Sequence, residues 1–224
     1  DLHLSLRRQR QMCIRDSISH VGIIVTPKPK TSSEFIDKWI LKSKLSNIEP
    51  FIINNKIDIE SDNEYKIKLD IYKSLGITTV DCSAKHGDNL KELIDFLKQK
   101  SVLFVGNSGA GKSTLSSKLI GKKLKTNSLS NEQGVHTTSI SSLYELQNNT
   151  KIIDSPGMRD IEIKNYSKDH IISGFEEILE ASKGCKFTNC NHINNKGCFV
   201  IESLANGQIN QSRYNNFIKF RDNG

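Results

Sequence analysis

Gly106-Asn-Ser-Gly-Ala-Gly-Lys-Ser113 is the stretch that decides the fold. It follows the short apolar run Val102-Leu103-Phe104-Val105 and precedes Thr114 to Leu119, which can continue as a helix. A G-x-x-x-x-G-K-[ST] pattern between a strand and a helix is the context that a phosphate cradle requires. Glycines let the loop bring amide N–H groups close to phosphate oxygens, the helix offers its positive N-terminal end, and Lys112 adds a point charge. Gly106, Asn107, Ser108, Gly109, Ala110, Gly111, Lys112, Ser113 and Thr114 are therefore the candidate phosphate-binding residues, with Ser113 holding Mg2+.

Outward from this loop, the chain alternates apolar runs with amphipathic helices. Val21 to Val25, Pro50 to Ile53 and Ile77 to Val80 read as strands. Helices are expected from a cap at Ser32 or Ser33, over Asp62 to Leu75, and over Leu90 to Lys98, where Asn89 and Glu92 form a capping box. The order predicts an α/β fold with a largely parallel sheet, ligands binding at its carboxyl edge. Two strands end in polar clusters suited to that edge. In Asn55-Lys56-Ile57-Asp58, Asp58 can accept two hydrogen bonds from the ring N–H and exocyclic amine of guanine, while Lys56 lies along the base and Asn55 braces the loop. In Ser83-Ala84-Lys85, small residues allow a backbone N–H to approach the guanine carbonyl. Either string alone is also a common surface turn; both in one chain with a phosphate loop point to a guanine nucleotide.

Beyond the phosphate loop come Gly134-Val-His-Thr-Thr138 and two strand-like runs, Ser142 to Leu146 and Lys151 to Ile153, paired around Gln147-Asn-Asn149. The second run enters Asp154-Ser-Pro-Gly157, where Asp154 can hold Mg2+ through water and Gly157 can offer its amide to a γ-phosphate. Thr137 or Thr138 is the candidate to close over the metal. Met158 stands where many GTPases carry a water-orienting glutamine, which a thioether cannot replace; His136 is the candidate for that role.

Cys185, Cys190, His192 and Cys198, spaced Cys-x4-Cys-x-His-x5-Cys, provide three thiolates and one imidazole. That set suits a structural, tetrahedral Zn2+ with no open position. Cys13 and Cys82 stand apart from it, as do His3, His20, His86 and His170, which are read as surface or capping residues. Five cysteines so arranged suit a reducing compartment better than a disulfide framework. No apolar run approaches the roughly 20 residues of a membrane helix, and the formal charge of +7 favours a polyanionic partner. A cytoplasmic, monomeric protein without a membrane partner is expected. Residues 1–17, which hold Arg7, Arg8, Arg10 and Arg15, differ in composition from the Lys-, Asn- and Ile-rich remainder and read as foreign to it.

The five strings together, with the guanine motifs placed before the phosphate loop and the cysteine cluster after it, resemble the RsgA (YjeQ) family of circularly permuted, small-subunit-dependent GTPases. The resemblance covers roughly residues 18–220. It implies a P-loop NTPase fold with a permuted GTPase domain over 18–172, and a small zinc-binding helical and loop domain over 173–224. It further implies GTP/GDP with Mg2+, hydrolysis of GTP during late maturation of the small ribosomal subunit, contact with that subunit's rRNA, and a water-positioning role for His136. Family members carry an OB-fold domain ahead of the GTPase domain, for which the residues before Val21 are too few, so the chain reads as N-terminally truncated. Two rivals stand beside this reading: a nucleotide-gated rRNA-binding module with negligible hydrolysis, and an ATP-dependent P-loop enzyme.

Overall fold

The computed structural model describes residues 18–121, 142–146, 149–154 and 161–223. Residues 1–17, Gly134, His136, Thr137, Thr138, Gly157 and Met158 lie outside them, as does the side chain of Asp154. Contacts divide the chain into two compact units. The first draws on Asp1–Lys30, Ile48–Ser61 and Thr78–Arg159; the second on Thr31–Asn47, Asp62–Ile77 and Asp160–Gly224.

The first unit is built on a six-stranded sheet. Its strands are β1 (His20–Val25), β2 (Glu49–Asn55), β3 (Thr79–Cys82), β4 (Ser101–Gly106), β5 (Ser142–Glu145) and β6 (Lys151–Asp154), in the spatial order β3-β2-β1-β4-β6-β5. All pairings are parallel except β5 with β6. Successive residues of the central strands, such as Ile23 and Ile24 or Ile52 and Ile53, are buried, which is why these strands read as continuous apolar runs rather than alternating ones. One core joins Ile24, Phe51, Ile53, Phe104 and Ile152 to Leu93 and Leu97 of a helix over Leu90–Leu97, and to Leu115 and Leu119 of a helix over Lys112–Ile120. The parallel strands fix the placement of the site: β2, β3 and β4 deliver their carboxyl ends to the same edge. The chain runs outward through β2 and β3 on one side of β1, then through β4 and β6 on the other, so the strand order reverses between β1 and β4. Crevices at such reversals are where open α/β sheets bind ligands.

In chain order the helices are α1 (Ser33–Leu45), α2 (Asn63–Ser74), α3 (Leu90–Leu97), α4 (Lys112–Ile120), α5 (Lys168–Ile172), α6 (Glu176–Ser182), α7 (Phe199–Ala205) and α8 (Gln211–Asn223). Ser32, not Ser33, caps α1, and Asp62 caps α2, each accepting the amide of the third residue onward. The expected capping box at α3 does not form: Asn89 takes a left-handed conformation (φ 55°) and makes no side-chain cap bond. An N-cap normally needs an extended backbone to aim its side chain at the first turn.

The second unit buries Leu41 of α1 with Ile171, Phe175, Ile178, Val200, Phe217 and Phe220. At its centre Arg213 donates to Asp37 Oδ1 (2.7 Å), to both oxygens of Glu177 (2.7 and 3.0 Å) and to the Gly174 carbonyl (3.2 Å). Asp37 also accepts from Tyr72 (2.8 Å) and Asn216 (2.6 Å). Burial works against the guanidinium's charge, but Asp37 and Glu177 hold its pKa above the ordinary value.

Candidate functional site

At the carboxyl end of β4 the chain turns from Gly106 through the phosphate-loop residues into α4. Gly111 sits at the N-cap with φ 92°, and a Cβ there would lie 2.5 Å from Asn55 Nδ2. The position therefore needs glycine twice over, for conformation and for space. Lys112 Nζ donates to the carbonyls of Gly106 (2.5 Å) and Asn107 (3.3 Å), which places the ammonium at the mouth of the loop. Ser113 and Thr114 occupy the first turn of α4, whose positive end faces the loop.

Asn55, buried at the end of β2, joins three strand ends. Its Nδ2 donates to the Ala110 carbonyl (2.9 Å) in the phosphate loop, and its Oδ1 accepts from the Ala84 amide (3.0 Å) beyond β3, with the Cys82 thiol 3.8 Å away. One amide side chain thus ties the phosphate loop to the Ser83-Ala84-Lys85 loop. Lys56, in a left-handed conformation (φ 67°), donates to the carbonyls of Gly109 (2.7 Å) and Lys28 (2.8 Å). Asp58 Oδ1 accepts from the Ser83 hydroxyl (2.6 Å); that bond is the main reason its carboxyl is held below the usual range. Asp58 is accordingly an ionised acceptor at neutral pH, suited to a ligand edge carrying two adjacent N–H donors. Of the sequence-expected nucleotide residues, Asn55, Lys56, Asp58, Ser83, Ala84, Lys85 and residues 106 to 114 share this edge. Asp154 ends β6, which pairs with β4 from the other side.

Sequence reading missed two neighbours of this site. The turn after β1 meets the phosphate loop at Pro29, which is 3.6 Å from a Cβ placed at Gly109, and its Lys28 carbonyl shares the Lys56 ammonium with the Gly109 carbonyl. The available sequence signal is Thr26-Pro-Lys-Pro29, a proline-marked turn at the carboxyl end of a strand. His86, expected as a surface or capping residue, is half exposed and has its Nε2 3.6 Å from Asp58 Oδ2.

The second constellation lies in the other unit. One ligand atom from each of Cys185, Cys190, His192 and Cys198 falls within 4.8 Å of all the others. Cys185 Sγ is 3.7 Å from His192 Nδ1 and 3.9 Å from Cys198 Sγ, and Cys198 Sγ is 3.7 Å from the same nitrogen. Zinc–sulfur bonds of about 2.3 Å at tetrahedral angles require separations of this size, so the donor set fits Zn2+ in both chemistry and geometry. His192 adopts φ 57°, and the backbone around it is braced from α8: Tyr214 donates to the His192 carbonyl (2.6 Å) and Arg221 to the Asn191 carbonyl (2.5 Å). Burial pushes the Cys198 thiol up to about 11. Burial also opposes ionisation of Cys185, yet bonds to the backbone at Val200 and Phe199 bring its pKa below the ordinary value.

Comparison with known proteins bears on the family and the fold. The model of the family described as RsgA GTPase matches residues 3–164. The chain is 33% identical over 207 residues to the small ribosomal subunit biogenesis GTPase RsgA of Actinobacillus succinogenes, covering 90% of this chain and 60% of the relative. It is 32% identical over 213 residues to the protein of that name from Flavobacterium psychrophilum, covering 92% and 65%. The chain thus spans about 60% to 65% of the length of these curated relatives. The crystal structure of YjeQ from Thermotoga maritima superposes with a TM-score of 0.75 at 28% identity, over 92% of this chain and 71% of that one. YloQ, described as a circularly permuted GTPase, superposes with a TM-score of 0.72 at 22% identity, over 92% and 68%, and supports the fold alone. The fold is therefore that of the circularly permuted P-loop GTPases, and the chain belongs to the RsgA GTPase family.

Proposed function

We propose that this chain is a GTP hydrolase, converting GTP to GDP and phosphate, that serves as an assembly factor in late maturation of the small ribosomal subunit. The observation that carries the reading is Asn55, which joins the phosphate loop to the Ser83-Ala84-Lys85 loop while its neighbour Asp58 presents an ionised carboxylate at the same edge. A phosphate cradle and a reader of adjacent N–H donors are thereby locked into one register. Curated relatives named for small-subunit biogenesis support the cellular role.

In this reading the phosphate-loop amides and Lys112 hold the phosphates, while Ser113, Asp154 and Thr137 or Thr138 position Mg2+. Gly157 meets the γ-phosphate, and Asn55, Lys56, Asp58, Ser83, Ala84 and Lys85 select guanine. His136 orients the attacking water. Residues 18–172 form the GTPase domain and 173–224 a domain stabilised by one Zn2+ on Cys185, Cys190, His192 and Cys198. The partner is the small subunit and its rRNA, met by a cytoplasmic monomer; none of the described helices is long and apolar enough to cross a membrane.

A second reading, a nucleotide-gated rRNA-binding module with negligible hydrolysis, is favoured by Met158, whose thioether cannot orient water. Single-turnover GTP hydrolysis with and without small subunits separates the two. The enzyme reading expects turnover accelerated by subunits, and turnover lowered in His136→Ala with GTP binding nearly intact. No turnover under either condition leaves the binding module. Unchanged turnover in His136→Ala removes the role given to that residue.

A further inference from the structure

The turn after β3 addresses both oxygens of the Asp58 carboxylate. Ser83, buried at its start, donates its hydroxyl to Oδ1 (2.6 Å) and accepts from the His86 amide (3.2 Å). His86 itself points its Nε2 at Oδ2 from 3.6 Å. The ring's position follows from a pinned backbone: the Gly87 amide donates to the Ser83 carbonyl (2.8 Å) and the Ser83 amide to the Asp88 carbonyl (3.1 Å). Among the described residues, Lys85 on the turn itself also acts on Asp58 by its charge; Asp88 lies on the same turn and Lys56 on the loop after β2. The Lys56 ammonium is engaged by the Gly109 and Lys28 carbonyls.

A bidentate reader of guanine needs charge on both carboxylate oxygens, because its hydrogen bonds to ring and amine N–H groups are strong only while the acceptor is ionised. A histidine ordinarily changes charge between about pH 5 and 8. Asp58 does not change charge in that interval, since its carboxyl already sits below the ordinary range.

We propose that His86 is a positioning residue for base recognition: neutral, it leaves the charge of Asp58 to the guanine donors, and protonated, it pairs with Oδ2 and weakens guanine binding. The inference rests on the reading of Asp58 as the guanine-selecting residue. His86 is half exposed, so the effect is the size of an exposed ion pair, about two- to fivefold in affinity.

The test is GDP affinity by calorimetry at about pH 8 and pH 5.5 for the wild-type chain, His86→Gln and His86→Lys, with ADP as a control ligand. Taking the ratio of wild type to His86→Gln at each pH cancels the titration of the phosphates. The ratio of dissociation constants is expected to rise about two- to fivefold on acidification. His86→Lys, which carries a permanent charge, should bind GDP more weakly than His86→Gln at both pH values by a similar factor. A ratio that is flat with pH, together with equal affinity of the Lys and Gln variants, overturns the role of His86 while leaving guanine selection intact. Equal wild-type affinity for GDP and ADP at pH 8 instead overturns the reading of Asp58, and this inference with it.

Discussion

The phosphate-loop edge and the helical unit solve the same problem, fixing polar side chains in place, by opposite means. At the edge, hydrogen bonds to backbone do the holding: Asn55 and Lys56 together reach four main-chain groups, and the Asp58 carboxylate keeps its charge at the surface. In the helical unit the charges themselves are buried and mutually satisfied, with Arg213, Asp37 and Glu177 forming a closed network and four thiol and imidazole groups converging on one point. The first arrangement keeps ionic capacity for binding; the second consumes it in stability.

Metal removal is the strongest way to break this contrast. Structural zinc contributes about 10–16 kcal/mol of apparent binding energy in small zinc domains. The purified chain is expected to hold one Zn2+, and chelation should expose the amides around Cys185 to Cys198 to rapid hydrogen exchange. A zinc-free chain with those amides fully protected would refute the metal assignment. Next in size is Arg213→Ala, which strands Asp37 and Glu177 without their cation. Breaking a buried pair in this way costs about 3–5 kcal/mol, read as a lowered urea midpoint; a loss under about 1 kcal/mol would mean that the network is not the anchor described. Asn55→Ala is smaller in stability, about 1–3 kcal/mol for the orphaned Ala110 carbonyl and Ala84 amide. It should nevertheless weaken GDP binding, whereas Arg213→Ala should not do so per folded molecule. Calorimetry on both variants checks the distinction.

The two regions also differ in how far sequence reveals them. The nucleotide edge is written in short contiguous strings, because each loop must change direction within a few residues at the end of a strand. Asn55-Lys56-Ile57-Asp58 could therefore be read for chemistry before any contact was known. The cysteine cluster is legible for the same reason, its ligands lying within a 14-residue window from Cys185 to Cys198. The ionic network is not legible. Asp37 and Arg213 are separated by 176 positions, and each alone looks like a solvated charge on an amphipathic helix. The position of His86 is not legible either: it depends on the turn that brings the ring to Asp58, which lies 28 residues earlier in the chain. The failed capping box at Asn89 shows the converse, a correct local pattern overruled by a left-handed backbone.

Guanine specificity at this edge is assigned to Asp58. Titrating GDP, ADP and xanthosine diphosphate into the wild-type chain and Asp58→Asn tests it most directly. The wild-type chain is expected to prefer GDP over ADP by at least about tenfold, the scale of one charge-assisted hydrogen bond, and the variant to shift its preference toward xanthosine diphosphate, since its amide can donate where the carboxylate accepted. Equal affinity of the wild-type chain for ADP and GDP, unchanged by Asp58→Asn, would contradict it.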